Sequence, residues 1–421
     1  MLQEKLINFI NESPTAFNAT SNLKEKFVKH GFIELKEENK FTLEKGKKYF
    51  LTRNDSSLIA FTIGKNIQDN YKYNIVASHL DSPSFKIKPQ ANHKVDIYNK
   101  INVEGYGGMI MSTWLDRPLS FAGRVIINQD NNLISKVINI KEPVFIIPNV
   151  CIHFNRQINN GYVYNIANDM QPLVSQDKQF DYINDKISHA LNIEKKDIIN
   201  YDLFLYNFER GYLWGENNEF ISSPRLDDLE CAFIESESLI DIDNDSNINV
   251  GVFFDNEEVG SSSLQGANSD FLVNTLKRIN NALNFSEEDF LCAVSKSFMI
   301  SSDNAHAVHP NNPSLTDSDN KVYMNKGIVI KFNASQSYTS DGLTSAYMQK
   351  LCIDSNVPYQ FFTNRADIRG GSTLGNISLG QLSLRSVDIG LGQLAMHSSF
   401  ETAGSEDIIY LYEVLKTFYT K

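Results

Sequence analysis

The chain has 421 residues, of which 42% are hydrophobic, so it can bury a large core and is expected to contain two domains. Its formal net charge of −12 argues against a protein that binds nucleic acid, because such proteins use clustered Lys and Arg to contact phosphates. No apolar stretch approaches the roughly 20 residues needed to cross a bilayer, so no membrane segment is expected.

The N-terminal sequence and the cysteines predict a cytoplasmic protein. Charged residues interrupt the first apolar stretch, which therefore reads as an amphipathic helix rather than a secretory signal. The four cysteines, at positions 151, 231, 292 and 352, lie far apart. They have neither zinc-finger nor disulfide spacing.

The first region, to about residue 90, is predicted to begin with helix and to continue with three strands. The strands are expected near Lys48-Leu51, Leu58-Ile63 and Ile75-His79. The third ends in His79-Leu80-Asp81, where an imidazole could bind metal through one nitrogen while a nearby carboxylate fixes the tautomer of the other. Taken alone, this His-x-Asp pattern is a weak signal.

The region from 91 to 211 has a different character, with many short β-type segments such as Gly123-Ile127 and Val144-Ile147. His79 and Asp81 precede this block, and every other candidate ligand follows it. We therefore expect residues 91–211 to be a domain inserted into a catalytic domain made of residues 1–90 and 212–421.

Two acidic pairs follow the inserted block. Asp227-Asp228 could present a carboxylate whose two oxygens bridge two cations, or it could be a helix N-cap. Glu257-Glu258 follows the apolar run Gly251-Phe254, so one carboxylate could bind metal while the other acts as a general base beside a water molecule. An isolated Glu pair is more often a solvated turn, because Glu is usually exposed.

Further candidates also follow hydrophobic segments. Asp303 lies in Ser301-Ser302-Asp303-Asn304-Ala305-His306-Ala307-Val308-His309-Pro310, and His397 lies in Ala395-Met396-His397-Ser398. In an open α/β sheet the strand ends converge on one crevice, so these distant residues could form one site. A mixed His and carboxylate set suits zinc, although related divalent ions share these ligands.

The order of these motifs resembles the aspartyl aminopeptidase family of dinuclear zinc exopeptidases. The resemblance extends over nearly the whole chain, and its most specific part is the Ser-x-Asp-x-Ala-His-Ala-x-His-Pro string. Other matching segments are Glu12-Phe17, Val103-Gly108, Ser112-Arg117, Ile152-Arg156 and Pro224-Asp228. It implies a zinc-exopeptidase-type α/β/α sandwich with a mixed central sheet and an inserted, β-rich dimerisation domain.

The resemblance also implies roles for the candidate residues. Asp227 bridges two metal ions, with Glu258 and His397 completing one site and His79 and Asp303 completing the other. Asp81 orients His79, and Glu257 is the general base. The ions are expected to be zinc, although cobalt and manganese are compatible with the same ligands.

Three residues take a functional role only through the resemblance. Lys331 would otherwise be a strand lysine facing solvent, but it matches the pocket for an acidic substrate residue, with Tyr338 beside it. His153 would otherwise be a structural histidine, but the family pattern implies that it reaches a neighbouring active site and stabilises the oxyanion. The family also implies homo-oligomers, in which dimers build a tetrahedral dodecamer.

The predicted function is a metal-dependent aminopeptidase that removes N-terminal residues, preferably Asp or Glu, from peptide substrates. Two enzymatic alternatives remain: an aminopeptidase of this family that prefers neutral residues, and an amidohydrolase or carboxypeptidase with the same dinuclear site. A noncatalytic scaffold protein is a further alternative, against which the intact Glu257 argues.

Overall fold

The computed structural model describes residues 1–176, 181–368 and 370–421. The helices are α1 (Leu2–Glu12), α2 (Ala16–Lys29), α3 (Ile166–Asp169), α4 (Tyr182–Leu191), α5 (Leu226–Ile240), α6 (Phe271–Ala282), α7 (Glu287–Lys296), α8 (Gly342–Asp354), α9 (Leu374–Leu379) and α10 (Asp407–Tyr419). The first ten strands are β1 (Ile33–Glu34), β2 (Lys48–Arg53), β3 (Ser57–Ile63), β4 (Tyr73–His79), β5 (Ser84–Val95), β6 (Tyr98–Tyr106), β7 (Leu119–Gln129), β8 (Asn132–Asn139), β9 (Leu173–Ser175) and β10 (Ile198–Asn207). The other strands are β11 (Tyr212–Trp214), β12 (Phe220–Ser223), β13 (Ile248–Phe254), β14 (Phe298–Ser302), β15 (Ala305–His306), β16 (Ile328–Phe332), β17 (Tyr359–Thr363), β18 (Arg385–Gly390), β19 (Gly392–Leu394) and β20 (Glu401–Gly404).

A mixed sheet of nine strands forms the centre of the molecule, in the order β1-β2-β3-β13-β4-β14-β18-β16-β17. The central strands β13, β4, β14 and β18 run parallel to one another, while β3 and β16 are antiparallel to their inner neighbours. Every residue of β3, β4, β13 and β14 is buried, as expected for strands covered on both faces.

Helices cover both faces of this sheet. One face packs against α1, α2, α5, α8 and α10, through residues such as Leu229 and Leu411. The other face packs against α6, α7 and α9, through residues such as Leu276 and Leu374. The predicted α/β/α sandwich with a mixed central sheet is therefore confirmed.

A second sheet of six strands, in the order β8-β7-β10-β5-β6-β9, is antiparallel and has its own hydrophobic core. All its strands come from one continuous stretch of chain. That stretch begins with β5 at Ser84, so the boundary expected at Ala91 falls inside a strand. The last strand, β10, ends at Asn207.

A small third sheet joins strands from distant parts of the sequence, in the order β11-β12-β20-β19-β15. It lies beside two of the candidate ligands, since Asp227 follows β12 and His397 lies between β19 and β20. Within the described ranges, no helix is both long enough and apolar enough to cross a membrane.

Candidate metal centre

The parallel centre of the main sheet brings three predicted site segments to one edge. His79 is the last residue of β4, and it pairs with Phe254 at the end of the adjacent β13. The 3₁₀-helix Glu257–Val259 follows β13, and Asp303 follows β14 on the other side of β4. Because parallel strands end at the same edge, residues far apart in sequence become neighbours.

Glu401 holds the two remaining candidate ligands together. Its carboxylate accepts a hydrogen bond of 3.1 Å from the backbone N–H of Asp227 and another of 2.7 Å from that of His397. Glu401 is the first residue of β20 and is buried. A carboxylate that accepts from both segments fixes the two candidate ligands relative to each other.

The Asp227 carboxylate lies between two histidines. Its Oδ1 is 3.6 Å from Nε2 of His79, and its Oδ2 is 3.5 Å from Nε2 of His397. Glu258 Oε2 lies 3.4 Å from the same nitrogen of His397. Two groups sharing Asp227 have ligand atoms within 4.8 Å of one another, namely His79 with Asp227 and Asp303, and Asp227 with Glu258 and His397.

Two candidate ligands each have a buried carboxylate oxygen with no hydrogen-bond partner among the described residues. These oxygens are Oδ1 of Asp227 and Oε1 of Glu258. Leaving a buried acceptor unsatisfied costs about 1–3 kcal/mol, and more for a charged group, unless a ligand or ion compensates. Their burial and the surrounding imidazoles fit a bound cation, and a His and carboxylate set is typical of zinc.

The electrostatics of the centre are dominated by buried negative charge. Burial by itself lowers the pKa of His79, but the Asp227 and Asp81 carboxylates raise it well above its usual value. Burial by itself raises the pKa of Asp227, but the two imidazoles hold it well below its usual value. Burial and the charge of Asp227 raise the pKa of Glu258 well above its usual value. Carboxylates packed this closely repel one another, and a cation between them relieves that repulsion.

Asp81 organises the loop that carries both glutamates. Its Oδ1 and Oδ2 accept hydrogen bonds of 3.1 Å from the backbone N–H groups of Glu257 and Glu258 respectively. Nδ1 of His79 faces Asp81, at 3.4 Å from Oδ1 and 3.1 Å from the backbone oxygen. The ring is thereby oriented with Nε2 toward Asp227.

Glu257 differs from its neighbour Glu258 in its surroundings. Its carboxylate has no hydrogen-bond donor within the described residues, and it lies close to His79 and Glu258. Burial, followed by the nearby Asp303 and Asp81 charges, raises its pKa to about 8. A half-buried carboxylate with a raised pKa, next to candidate ligands, suits a group that exchanges protons near neutral pH.

Lys331 is buried, with 2% of its surface exposed, so it is not a strand lysine facing solvent. Its Nζ lies 3.7 Å from Oδ2 of Asp303 and 5.5 Å from the ring centroid of Tyr338. Burial by itself lowers the pKa of Lys331, but the Asp303 carboxylate and other nearby groups raise it above its usual value. A fixed positive charge therefore stands beside the candidate ligand Asp303.

His153 is the one predicted site residue that the structure does not bring to this centre. It lies in an exposed turn outside the strands of the second sheet. Its neighbours Ile152 and Phe154 are 49% and 88% exposed. The other predicted residues, from His79 to His397, lie around the centre or next to Asp303.

Several residues that hold the site were not identified from the sequence. Glu401 lies four residues after His397, but a glutamate at a strand start gives no signal that it is buried. Asp228 accepts a hydrogen bond of 3.1 Å from the backbone N–H of His79.

The segment around the end of β6 adds two more contacts. Nδ1 of His397 lies 2.8 Å from the backbone oxygen of Gly108, and the Tyr106 hydroxyl donates to Asp81. Only the fold reveals these contacts, because each joins distant segments.

Comparison with known proteins gives the same family along the whole chain. Residues 9–419 match the family described as Aminopeptidase I zinc metalloprotease (M18). A protein of Clostridium novyi (strain NT) named Probable M18 family aminopeptidase 2 is 48% identical over 422 residues, covering 99% of this chain and 98% of the relative. A protein of the same name from Clostridium acetobutylicum is 45% identical, with the same coverage.

Solved structures agree with the sequence matches. A chain in the cryo-EM structure of the Ape4 and Nbr1 complex has a TM-score of 0.96 at 34% identity, covering 99% of this chain and 85% of that chain. The structure of the S. cerevisiae mApe1 dodecamer has a TM-score of 0.87 at 25% identity, covering 99% of this chain and 95% of that chain.

Proposed function

Because the chain belongs to the M18 family of zinc aminopeptidases, we propose that it removes N-terminal Asp or Glu residues from peptides with a dinuclear zinc site. The predicted resemblance and the predicted class of metalloaminopeptidase are confirmed by this membership. The observation that carries the proposal is the Asp227 carboxylate, each of whose two oxygens faces a different histidine.

In this proposal, Asp227 would contribute to the sites of two zinc ions. His79 and Asp303 would complete the group for one ion, and Glu258 and His397 would complete the group for the other. When bound, the ions supply a Lewis acid that polarises the scissile carbonyl and lowers the pKa of water. Cobalt and manganese share these ligand types, so the ligand set alone does not select zinc.

Glu257 is proposed as the general base. Its carboxylate accepts a proton from the attacking water, whose oxygen forms a bond with the carbonyl carbon of the first peptide bond. The protonated Glu257 then gives this proton to the leaving nitrogen as the C–N bond breaks. Asp81 supports this role, because it accepts from the backbone N–H of Glu257 and so fixes the loop that carries the base.

Lys331 is proposed to select an acidic first residue. The protein has a formal net charge of −12, so recognition of an acidic side chain requires a local positive charge. Lys331 provides one at a buried position next to Asp303, and the Tyr338 ring packs beside it. A peptide seated at the metal centre could thereby place its first side chain against the lysine.

The chain is also proposed to act as a homo-oligomer, with dimers assembling into a tetrahedral dodecamer. An M18 relative forms a dodecamer in the S. cerevisiae structure. The 146–163 segment supports subunit contacts here, because it exposes six large apolar side chains: Ile146, Val150, Ile152, Phe154, Tyr162 and Val163. His153 lies within this segment, where it could reach a neighbouring active site and stabilise the oxyanion. Residues 91–211, with β5 added, would then serve as the dimerisation domain.

A cytoplasmic location is proposed because of the state of the cysteines. All four are free thiols, and Cys151 and Cys292 are exposed. Free exposed thiols suit a reducing compartment.

The proposed function is tested with short peptides that differ only in the first residue, either Asp, Glu, Leu or Met. Each is supplied with a free and with an acetylated N-terminus, with and without chelator, and zinc per chain is counted. We expect two zinc ions per chain and chelator-sensitive release of free Asp and Glu. A preference for Leu or Met would support a neutral aminopeptidase, and cleavage of acetylated peptides alone would support an amidohydrolase.

The role of Lys331 is tested by Lys331→Met, which keeps the side-chain length and removes the charge. A hydrogen bond to a charged group contributes about 1.5–3 kcal/mol. We therefore expect the ratio of kcat/KM for Glu over Leu peptides to fall about 10- to 100-fold. Lys277→Met, an exposed change on α6, is the control. An unchanged ratio in Lys331→Met, with zinc content retained, would contradict the acidic pocket.

A further inference from the structure

The segment that follows β6 lies directly against the metal centre, although β6 belongs to the second sheet. A Cβ added to Gly107 would lie 3.1 Å from Cβ of Glu258. The backbone oxygen of Gly108 is 2.8 Å from Nδ1 of His397, and the N–H of Ile110 donates to the backbone oxygen of His397 at 3.0 Å. The segment that leaves the second sheet thus contacts two candidate ligands of the same chain.

Tyr106, the last residue of β6, contacts Asp81 immediately before this segment. Its hydroxyl donates a hydrogen bond of 2.7 Å to Oδ2 of Asp81 and accepts one of 2.8 Å from Nδ2 of Asn256. Its ring packs edge-on against Phe204 of β10, with the ring centroids 5.2 Å apart. The ring is therefore held by the second sheet, while the hydroxyl is directed at the catalytic centre.

The position of Asp81 decides the geometry of the glutamate loop. Its carboxylate accepts from the Tyr106 hydroxyl and from the N–H groups of Glu257 and Glu258. Tyr106 is thus the side-chain donor among these three hydrogen bonds. Without it, the N–H of Glu258 is the remaining hydrogen-bond donor to Oδ2 of Asp81 within the described residues.

The hydrogen-bond chain continues away from the centre and fixes Asn256. Nε2 of Gln265 donates to Oδ1 of Asn256 at 2.7 Å, and Nδ2 of Asn54 donates to Oε1 of Gln265 at 3.1 Å. Arg124, on β7 of the second sheet, then donates to Oδ1 of Asn54 at 2.8 Å. Tyr106, Asn256, Gln265, Asn54 and Arg124 all line one cavity of about 140 Å³. This series of hydrogen bonds therefore starts at Tyr106 on the second sheet, passes through Asn256 in the glutamate loop, and ends at Arg124 on the second sheet.

We propose that Tyr106 is a positioning residue of the metal centre, through which the second sheet fixes Asp81 and, by way of Asp81, His79 and the Glu257-Glu258 loop. The inference rests on the proposed function, since it assigns Asp81 to the same catalytic centre. Partners of this kind set the orientation of ligands and bases, and their loss typically costs about 10- to 100-fold in metal affinity or activity.

The test is Tyr106→Phe in the full-length protein, which keeps the ring against Phe204 and removes only the hydroxyl. Zinc affinity is measured by competition with a chromogenic chelator, and kcat and KM are measured at saturating zinc. We expect zinc to bind about 10- to 100-fold more weakly, and kcat to fall by a similar factor while KM changes little.

Tyr201→Phe is the matched control. Tyr201 is a half-buried tyrosine on β10 of the same sheet, and its hydroxyl donates to the backbone oxygens of Lys88 and Pro89, each at 3.2 Å. This variant loses a hydroxyl that contacts Lys88 and Pro89 rather than Asp81, and it should match the wild type in zinc affinity and kcat. Equal values in Tyr106→Phe and Tyr201→Phe would overturn the proposal.

A second variant, Gln265→Met, tests the same proposal if Tyr106→Phe does not fold. It removes the donor to Asn256 and should change zinc affinity and kcat in the same direction as Tyr106→Phe, but less. If Tyr106→Phe does not fold, wild-type values in Gln265→Met would overturn the proposal. A wild-type protein that cleaves no peptide would refute the proposed function, whereas the zinc affinities would still decide the role of Tyr106.

Discussion

The two large sheets of this molecule bury their residues differently. In the nine-stranded sheet, every residue of β3, β4, β13 and β14 is buried, and polar candidate ligands begin where the strands end. The six-stranded sheet is antiparallel, and β5 becomes exposed along its second half. It also lies next to the exposed 146–163 segment. The first sheet therefore carries the candidate chemistry, while the second offers an apolar surface and a positioning contact.

This difference follows from strand direction. Parallel strands send all their carboxyl ends to one edge, which concentrates polar side chains from separate segments. Antiparallel strands alternate in direction, so their ends divide between two edges. The second sheet reaches the metal centre through Tyr106, at the end of β6, and through the residues that follow it. Substitutions in one sheet or the other should therefore separate the chemistry of the main sheet from the positioning contact of the second sheet.

The largest expected effect comes from the main sheet, with Glu257→Gln. The amide cannot accept the proton, so we expect kcat to fall about 10²- to 10⁴-fold. Zinc content should remain near that of the wild type, because Glu257 is not among the proposed ligands. Glu216→Gln, a change at an exposed position, is the control in the same peptide assay. A loss of less than about tenfold would remove Glu257 as the base.

A smaller effect is expected from the second sheet, with Gly107→Ala. Gly107 has φ +73°, and an added Cβ meets Cβ of Glu258 at 3.1 Å and its backbone oxygen at 3.3 Å. The left-handed backbone should cost about 1–2 kcal/mol of unfolding free energy. The contact should also displace Glu258 and lower kcat.

Gly31→Ala separates strain from displacement. Gly31 has φ +81°, and an added Cβ there meets nothing within 4 Å. Denaturant unfolding should give a similar loss of stability for both variants, while only Gly107→Ala loses kcat. Equal kcat in the two variants would show that the segment after β6 does not position Glu258.

The smallest effect on folding is expected from the double change Phe154→Ser and Val163→Ser. These side chains are 88% and 92% exposed, so the unfolding free energy of one chain should change by less than about 0.5 kcal/mol for each substitution. Sedimentation should nevertheless show weaker assembly, because apolar contact area is lost from the 146–163 segment.

Leu133→Ser is the control for that measurement, since Leu133 is 71% exposed on β8, outside the segment. It should leave the assembly unchanged. If His153 acts across a subunit interface, dissociation of the double variant should also lower kcat. Assembly that survives the double change would place the subunit contact elsewhere.

The sequence predicted the candidate ligands better than the residues that position them. His79, Asp227 and Asp303 were proposed as one group, and the structure brings their ligand atoms within 4.8 Å of one another. Each follows a strand or a short apolar run, which is a local signal. Glu401 and Tyr106 were missed, because what matters for them is a hydrogen bond to a distant segment.

Lys331 also shows the difference between what a local sequence pattern predicts and what the fold reveals. A lysine inside a strand is ordinarily expected to face solvent, and only the resemblance to a family favoured another role. The structure shows it buried beside Asp303. Burial of a charge depends on which strands and loops pack around it, and this packing is not visible in the local sequence pattern.

The amino-acid sequence is enough to predict the apolar strands, the polar residues that follow them and the family to which the chain belongs. Three features become visible in the folded chain alone: β4 lies between β13 and β14, the Asp227 carboxylate faces two histidines, and Tyr106 reaches Asp81. The reason is physical: the pattern of side chains along a strand fixes which faces are buried, whereas the order of strands depends on packing between segments far apart in the chain.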